Sequence, residues 1–411
     1  MTNRIELAAV LDRNKIPAGK EHTGYLLIKI RGTAAEHRER LPLNLSFVLD
    51  RSGSMEGDKL EYTKQALATC INNLEAKDIQ SLVLFDDQVE VLMPPAHLTN
   101  KDLAKQMIRQ IWERGLTNLS GGVSRGARLV EQNLGPEYVS RIIVLTDGQA
   151  NQGITDPAGL TKLAAKISKK GIGVTLIGVG EDFNEELLMA MAEGGRGNFY
   201  YIEDPDQIPA IFEQELHGLL QVVGQNLELT VAGLKVETAF GYEPVAEEGR
   251  LRFLLPDLYS GEEKILLLQF TLPALSPGEH KLAVLQFKYL DGESLEEQIL
   301  TLPVDICSGE GEEYTGQAPD LEVQSQVRRY RITEAQKEAM ERADAGDFNQ
   351  ARSMLQEALE EMRPLAETDS EVAEGIAVME SSLNYLQEEN YHKSGRKNLS
   401  YARYKTQKNR R

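Results

Sequence analysis

Cysteine is nearly absent from this chain of 411 residues: Cys70 and Cys307 lie far apart, one in a predicted helix and one before a Gly/Glu-rich stretch. They offer neither a disulfide framework nor a zinc-ligand spacing, so a reducing, cytoplasmic setting is expected. Histidine is scarce too, and His22, His37, His97, His217, His280 and His392 are scattered, with no pair at metal spacing on one element. No apolar run is long enough to cross a bilayer, and the start Met1-Thr2-Asn3-Arg4-Ile5-Glu6 has no apolar signal core behind it. Neither membrane insertion nor standard secretion is expected. The phosphate-loop pattern G-x-x-x-x-G-K-[ST] is missing, and Glu193-Gly194-Gly195-Arg196-Gly197 lacks the strand-to-helix context of a nucleotide fingerprint.

Basic charge is also short: 64 acidic residues against 45 basic ones leave a formal charge of −19. Such a surface repels nucleic acid and anionic lipid while recruiting cations. The exception is the stretch 393–411, with eight basic residues and no acidic one, so the first 392 residues carry a formal −27. This tail includes Arg396, Lys397, Tyr401, Arg403, Tyr404, Lys405, Arg410 and Arg411. It is expected to be a disordered, solvated end. The alternatives are a docking peptide for an acidic surface or, through this tail alone, nucleic acid, and an arm folded back on its own acidic body.

What is present is a regular alternation, and the length calls for two or three domains. Over 42–222, β-rich runs alternate with amphipathic stretches, the pattern of a doubly wound α/β domain. Strands are predicted at Leu45 to Asp50, Gln80 to Phe85, Arg141 to Thr146, Ile172 to Gly178 and Asn198 to Ile202, with helices near 100–111, 119–133, 156–169, 184–193 and 206–221. The helix after Asp50 buries Leu60, Leu67, Ile71 and Leu74 and leaves Lys59, Glu61 and Lys64 to water. Trp112 is expected in the core. Residues 1–41 and 223–307 carry strand patterns and are expected to form one antiparallel β-sandwich, with the α/β domain inserted into it. A linker follows over 308–330, then a helical region over 331–392 opened by Thr333 and Gln336 as a capping box. Ala343-Asp344-Ala345-Gly346-Asp347-Phe348 is similar to the turn of a tetratricopeptide helical hairpin, without a second copy.

The chemistry concentrates in three loops. Asp50-Arg51-Ser52-Gly53-Ser54 follows a strand, Thr117 stands before a helix, and Asp147 ends the apolar run Arg141 to Thr146. Loops beyond the carboxyl ends of central strands are where open α/β sheets bind ligands. Hydroxyls and carboxylates suit a hard cation such as Mg²⁺, which wants six oxygens at about 2.0–2.1 Å. The serines and Asp50 could instead simply cap the next helix, but that leaves Thr117 and Asp147 unaccounted for.

The D-x-S-x-S pattern with the later threonine and aspartate resembles the von Willebrand factor A family and its metal-ion-dependent adhesion site. The resemblance implies that Asp50, Ser52, Ser54, Thr117 and Asp147 hold Mg²⁺, or Mn²⁺ or Ca²⁺, and that a Glu or Asp of a protein partner completes the coordination. It further implies a binding module, an intracellular adaptor or scaffold, and not an enzyme, since no general base or nucleophile constellation stands beside the metal loops. A relay from the last helix of the domain, as in integrins, is a further implication. The whole chain also looks like bacterial proteins labelled calcium-activated chloride channels, a label at odds with the missing membrane segment. Two alternatives stay open: a subunit working with an AAA⁺ ATPase, as in metal chelatases, and a metal-dependent hydrolase.

Overall fold

A computed structural model describes residues 4–33, 40–247, 249–366, 370–387 and 391–408. His37, Arg410 and Arg411 lie outside the described residues. At the centre is a six-stranded sheet in the order Val89–His97, Ile79–Phe85, Leu43–Asp50, Val139–Thr146, Gly173–Val179 and Phe199–Ile202. All neighbours are parallel except the edge pair, which is antiparallel. Leu43–Asp50 and Val139–Thr146 are buried at every position, as a sheet covered on both faces requires. Asp58–Asn73 and Ile208–Leu219 cover one face through Leu60, Leu67 and Phe212; Leu119–Val130, Pro157–Ser168 and Glu185–Gly194 cover the other through Val123, Leu160 and Leu188.

The edge strand Val89–His97 is absent from the sequence expectation. Pro94 and Pro95 argue against a central strand, but an edge strand tolerates them because one side of its backbone needs no partner. Trp112 is a second correction. It is 56% exposed, because the chain leaves the helix Lys101–Arg109 and Ile111, not Trp112, is the residue buried.

Two sheets flank this domain in sequence, antiparallel except where Lys15–Pro17 pairs parallel with Glu297–Gly309. Ile5–Leu11, His22–Gly32, Glu263–Leu272 and Val236–Phe240 make the first, so strands from before and after the α/β domain pair directly, as at Leu27 with Leu267. The second is built on Val222–Ala232, Gly278–Asp291 and Glu297–Gly309, with short strands at its edges. Both contribute to one apolar core, Ile5, Ile28 and Leu268 meeting Leu229, Phe253 and Phe287. Arg141, buried in the α/β sheet, reaches out to Asp257 at 2.7 Å and ties the two regions together.

The helical region starts earlier than its pattern suggests. Leu321–Asp344 is continuous, and Asp320 caps it by accepting from the N–H of Glu322 and Val323 at 3.0 and 3.1 Å. Thr333 and Gln336 are therefore buried mid-helix instead of forming a capping box; the Thr333 hydroxyl donates back to the Tyr330 carbonyl. Val323 and Val327 seat this helix on Leu27 and Leu267 of the first flanking sheet. Phe348–Met362 follows after a turn in which Gly346 takes φ +83°. Ser370–Tyr385 completes a bundle whose core includes Ile332, Leu355, Met379 and Leu399.

Leu399 belongs to the largest correction. Lys393–Gln407 is a helix, not a disordered tail, and it packs onto the α/β domain. Tyr401 and Tyr404 stand edge-on to Phe199 at 5.8 and 5.7 Å. Lys397 is buried, donating to Glu185 at 2.6 Å and to the Phe183 carbonyl at 2.5 Å. Arg396 bonds Glu185, Glu186 and Asp344, and Lys408 reaches Glu193 at 2.9 Å. Residues 393–408 of the basic stretch are held by the acidic body they neutralise. Among the described residues, no helix is long and apolar enough to cross a membrane.

Candidate metal centre

Two of the three loops leave the carboxyl edge of the central sheet where a strand stops, and the third joins the helix Lys101–Arg109 to Leu119–Val130. Asp50 is the last residue of Leu43–Asp50, and Asp147 directly follows Val139–Thr146, the neighbouring strand. Thr117 precedes Leu119–Val130, whose N-terminus is capped by Asn118 accepting from Gly121 at 3.0 Å. The structure therefore brings the five sequence-derived residues to one edge, and hydrogen bonds join four of them.

Asp50 is fully buried; its Oδ1 accepts from the Ser52 N–H at 2.8 Å and its Oδ2 from the Thr146 hydroxyl at 2.5 Å. Ser52 Oγ and Ser54 Oγ are 3.1 Å apart, and Ser54 donates to Asp147 Oδ1 at 2.7 Å. Thr117 is set from the other side. Its N–H donates to Asn151 Oδ1 at 2.9 Å and its carbonyl accepts from Asn151 and Gln152. A methyl group added to Gly148 would lie 3.2 Å from Thr117 Oγ1 and 3.8 Å from Ser54 Oγ. Gly148 thus keeps a gap open between these hydroxyls.

Burial, with a smaller push from the nearby negative charge of Asp147, raises the Asp50 carboxyl to about 6 against the hydrogen bonds from Thr146 and Ser52. Two carboxylates placed together at a sheet edge are costly unless a positive group joins them. One is already present. Lys59 Nζ donates to Asp147 Oδ2 at 2.5 Å and to the Ser54 carbonyl at 3.2 Å. Sequence periodicity assigns Lys59 to water; its first-turn position on Asp58–Asn73 instead lets it fold back over the loop. Thr146 and Asn151 are likewise invisible in the motif. Their roles depend on which strand ends lie side by side.

The donor set fits a hard divalent cation: three neutral hydroxyl oxygens, two carboxylates and a glycine-lined gap, with nitrogen and sulfur ligands missing. Among the described residues no group of three or more His, Cys, Asp or Glu assembles at metal spacing, so hydroxyls must supply much of any coordination.

Residues 44–214 match the family model of the von Willebrand factor type A domain. The Synechocystis protein sll0103 is 29% identical over 378 residues, covering 86% of this chain and 87% of the relative. Inter-alpha-trypsin inhibitor heavy chain H1 of Sus scrofa is 32% identical over 203 residues, which are 46% of this chain and only 22% of that protein. The solved von Willebrand factor type A protein from Catenulispora acidiphila superposes with a TM-score of 0.76 at 15% identity, over 99% of this chain and 98% of that one, and so shares the fold. The segment that carries the candidate metal centre, residues 44–214, is a von Willebrand factor type A domain.

Proposed function

We propose that this chain is a metal-dependent protein-binding module whose α/β domain captures an acidic side chain of a partner through a bound divalent cation, Mg²⁺ by preference. The observation that carries it is the convergence of Ser52, Ser54 and Thr117 hydroxyls with Asp50 and Asp147 around the Gly148 gap. A cation held there supplies an electrophile for an incoming carboxylate. This chain's residues do the rest: the two aspartates supply two negative charges, against two from the ion and one from Lys59, so the loaded site carries a net positive charge that favours one further anion. In this reading the module holds its partner and does not turn it over.

The flanking sheets and helices act as a scaffold in this reading, a β-sandwich interrupted by the α/β domain and braced by the C-terminal helix. Cys70 and Cys307 are both free, in keeping with a reducing compartment. The test is retention of proteins from source lysate on the full chain with Mg²⁺, with EDTA, and with Asp147→Ala. A protein held only by the wild type with Mg²⁺ is the expected result; the same set in all three overturns the proposal.

A further inference from the structure

The segment 111–118 has neither helix nor strand, yet backbone hydrogen bonds fasten it to the loop 50–54 and to the loop after Ile79–Phe85. The Arg114 N–H donates to the Arg51 carbonyl at 2.7 Å, Gly53 N–H to the Gly115 carbonyl at 3.3 Å, and Asn118 N–H to the Asp86 carbonyl at 2.9 Å. Ile111 is buried at its start and Thr117 at its end. Between these anchors two large apolar side chains face solvent: Trp112 is 56% exposed and Leu116 51%. The Arg114 guanidinium lies 5.4 Å from the Trp112 ring centroid and is itself held by Asp86 at 2.8 Å, so the indole is restrained. Apolar side chains held out to water on a pinned backbone have paid their ordering entropy in advance, as the anchors of binding surfaces do.

Charge narrows what would cover them. Glu56 and Asp58 are exposed on the chain just after Ser54, and the Asp87 carboxylate lies against Gly115. This acidic rim repels a polyacidic ligand and leaves the cation and Lys59 as the attraction for one carboxylate. From these observations, and resting on the metal-dependent reading above, we infer that the partner docks an extended peptide segment whose single Asp or Glu is flanked by an aromatic or branched aliphatic residue. The acid meets the cation, and the apolar neighbour covers Trp112 and Leu116.

Two measurements test it on the full chain. In the first, a display library of short random peptides is bound in Mg²⁺ and eluted with EDTA. Wild type is expected to enrich a single acidic residue next to an apolar one, whereas Trp112→Ser with Leu116→Ser keeps the acid and loses the neighbour preference. Acidic residues enriched with no apolar neighbour, or a preference that persists in the double variant, overturn the inference and leave the metal-dependent reading intact. No acid in the EDTA eluate overturns both. The second uses the fact that Trp112 is the single tryptophan of the chain. A selected peptide, added with Mg²⁺, is expected to shift its emission to the blue, and Leu116→Ser is expected to weaken that peptide roughly tenfold. An unshifted emission on saturation by the peptide refutes the docking at Trp112.

Discussion

Lys397→Met removes one buried charge while keeping an unbranched apolar stem. In the wild type the ammonium donates to Glu185 Oε2 at 2.6 Å and to the Phe183 carbonyl at 2.5 Å, and it lies 4.0 Å from the Phe183 ring centroid. Taking one partner from a buried pair costs about 3–5 kcal/mol when the other is left alone. Glu185 is not left alone, since Arg396 stays on its Oε1, and methionine preserves much of the stem packing. The expected loss is therefore smaller, about 2–3 kcal/mol. A chain with several cores need not unfold in one step, so a single melting midpoint is the wrong assay. Native-state hydrogen exchange reads the local opening directly. Amides of Lys393–Gln407 are expected to exchange roughly 30- to 150-fold faster, with the flanking sheets unchanged. Adding Glu185→Met should recover at least half of the loss, because an apolar pair replaces a broken ionic one. Acceleration below about threefold, or a double variant as costly as the two single ones added, would refute a buried clamp.

Three further outcomes follow from the geometry. Burial acts to raise the Glu185 and Asp344 carboxyls, but the hydrogen bonds and charges of Lys397 and Arg396 hold both below their ordinary values of 4.5 and 3.8. Their contribution is thus complete at neutral pH and is lost as the pH falls below those values; exchange protection of the C-terminal helix should stay flat down to about pH 5 and then drop, and a drop on the alkaline side instead would contradict it. Gly148→Ala places a methyl 3.2 Å from Thr117 Oγ1, and calorimetry should show Mg²⁺ affinity reduced roughly tenfold or more, with circular dichroism in EDTA unchanged. Lys59→Gln removes the ammonium that occupies Asp147 Oδ2, so Mg²⁺ binding should tighten by roughly tenfold at low salt, the gain shrinking as salt is added; weaker binding would mean that Lys59 positions Asp147 for the ion.

By itself the sequence determines the central α/β domain, because strands buried on both faces and helices buried on one must alternate in composition. The five candidate ligands Asp50, Ser52, Ser54, Thr117 and Asp147 are legible through the resemblance of their motif to the von Willebrand factor A family, because each lies beside an element whose own pattern is local. Local signals fail where a residue's role is fixed by a distant neighbour. Pro94 and Pro95 are acceptable only because Val89–His97 lies at an edge, and Thr333 sits mid-helix because Asp320 caps further back. Lys59 leaves the water-facing stripe because Asp147 arrives from another strand. The basic tail has the composition of a solvated end, and neither Glu185 nor Phe199 is near it in sequence; their meeting at Lys397 and Tyr404 belongs to the tertiary structure, where opposite charges removed from water and rings packed edge to face make order cheaper than solvation.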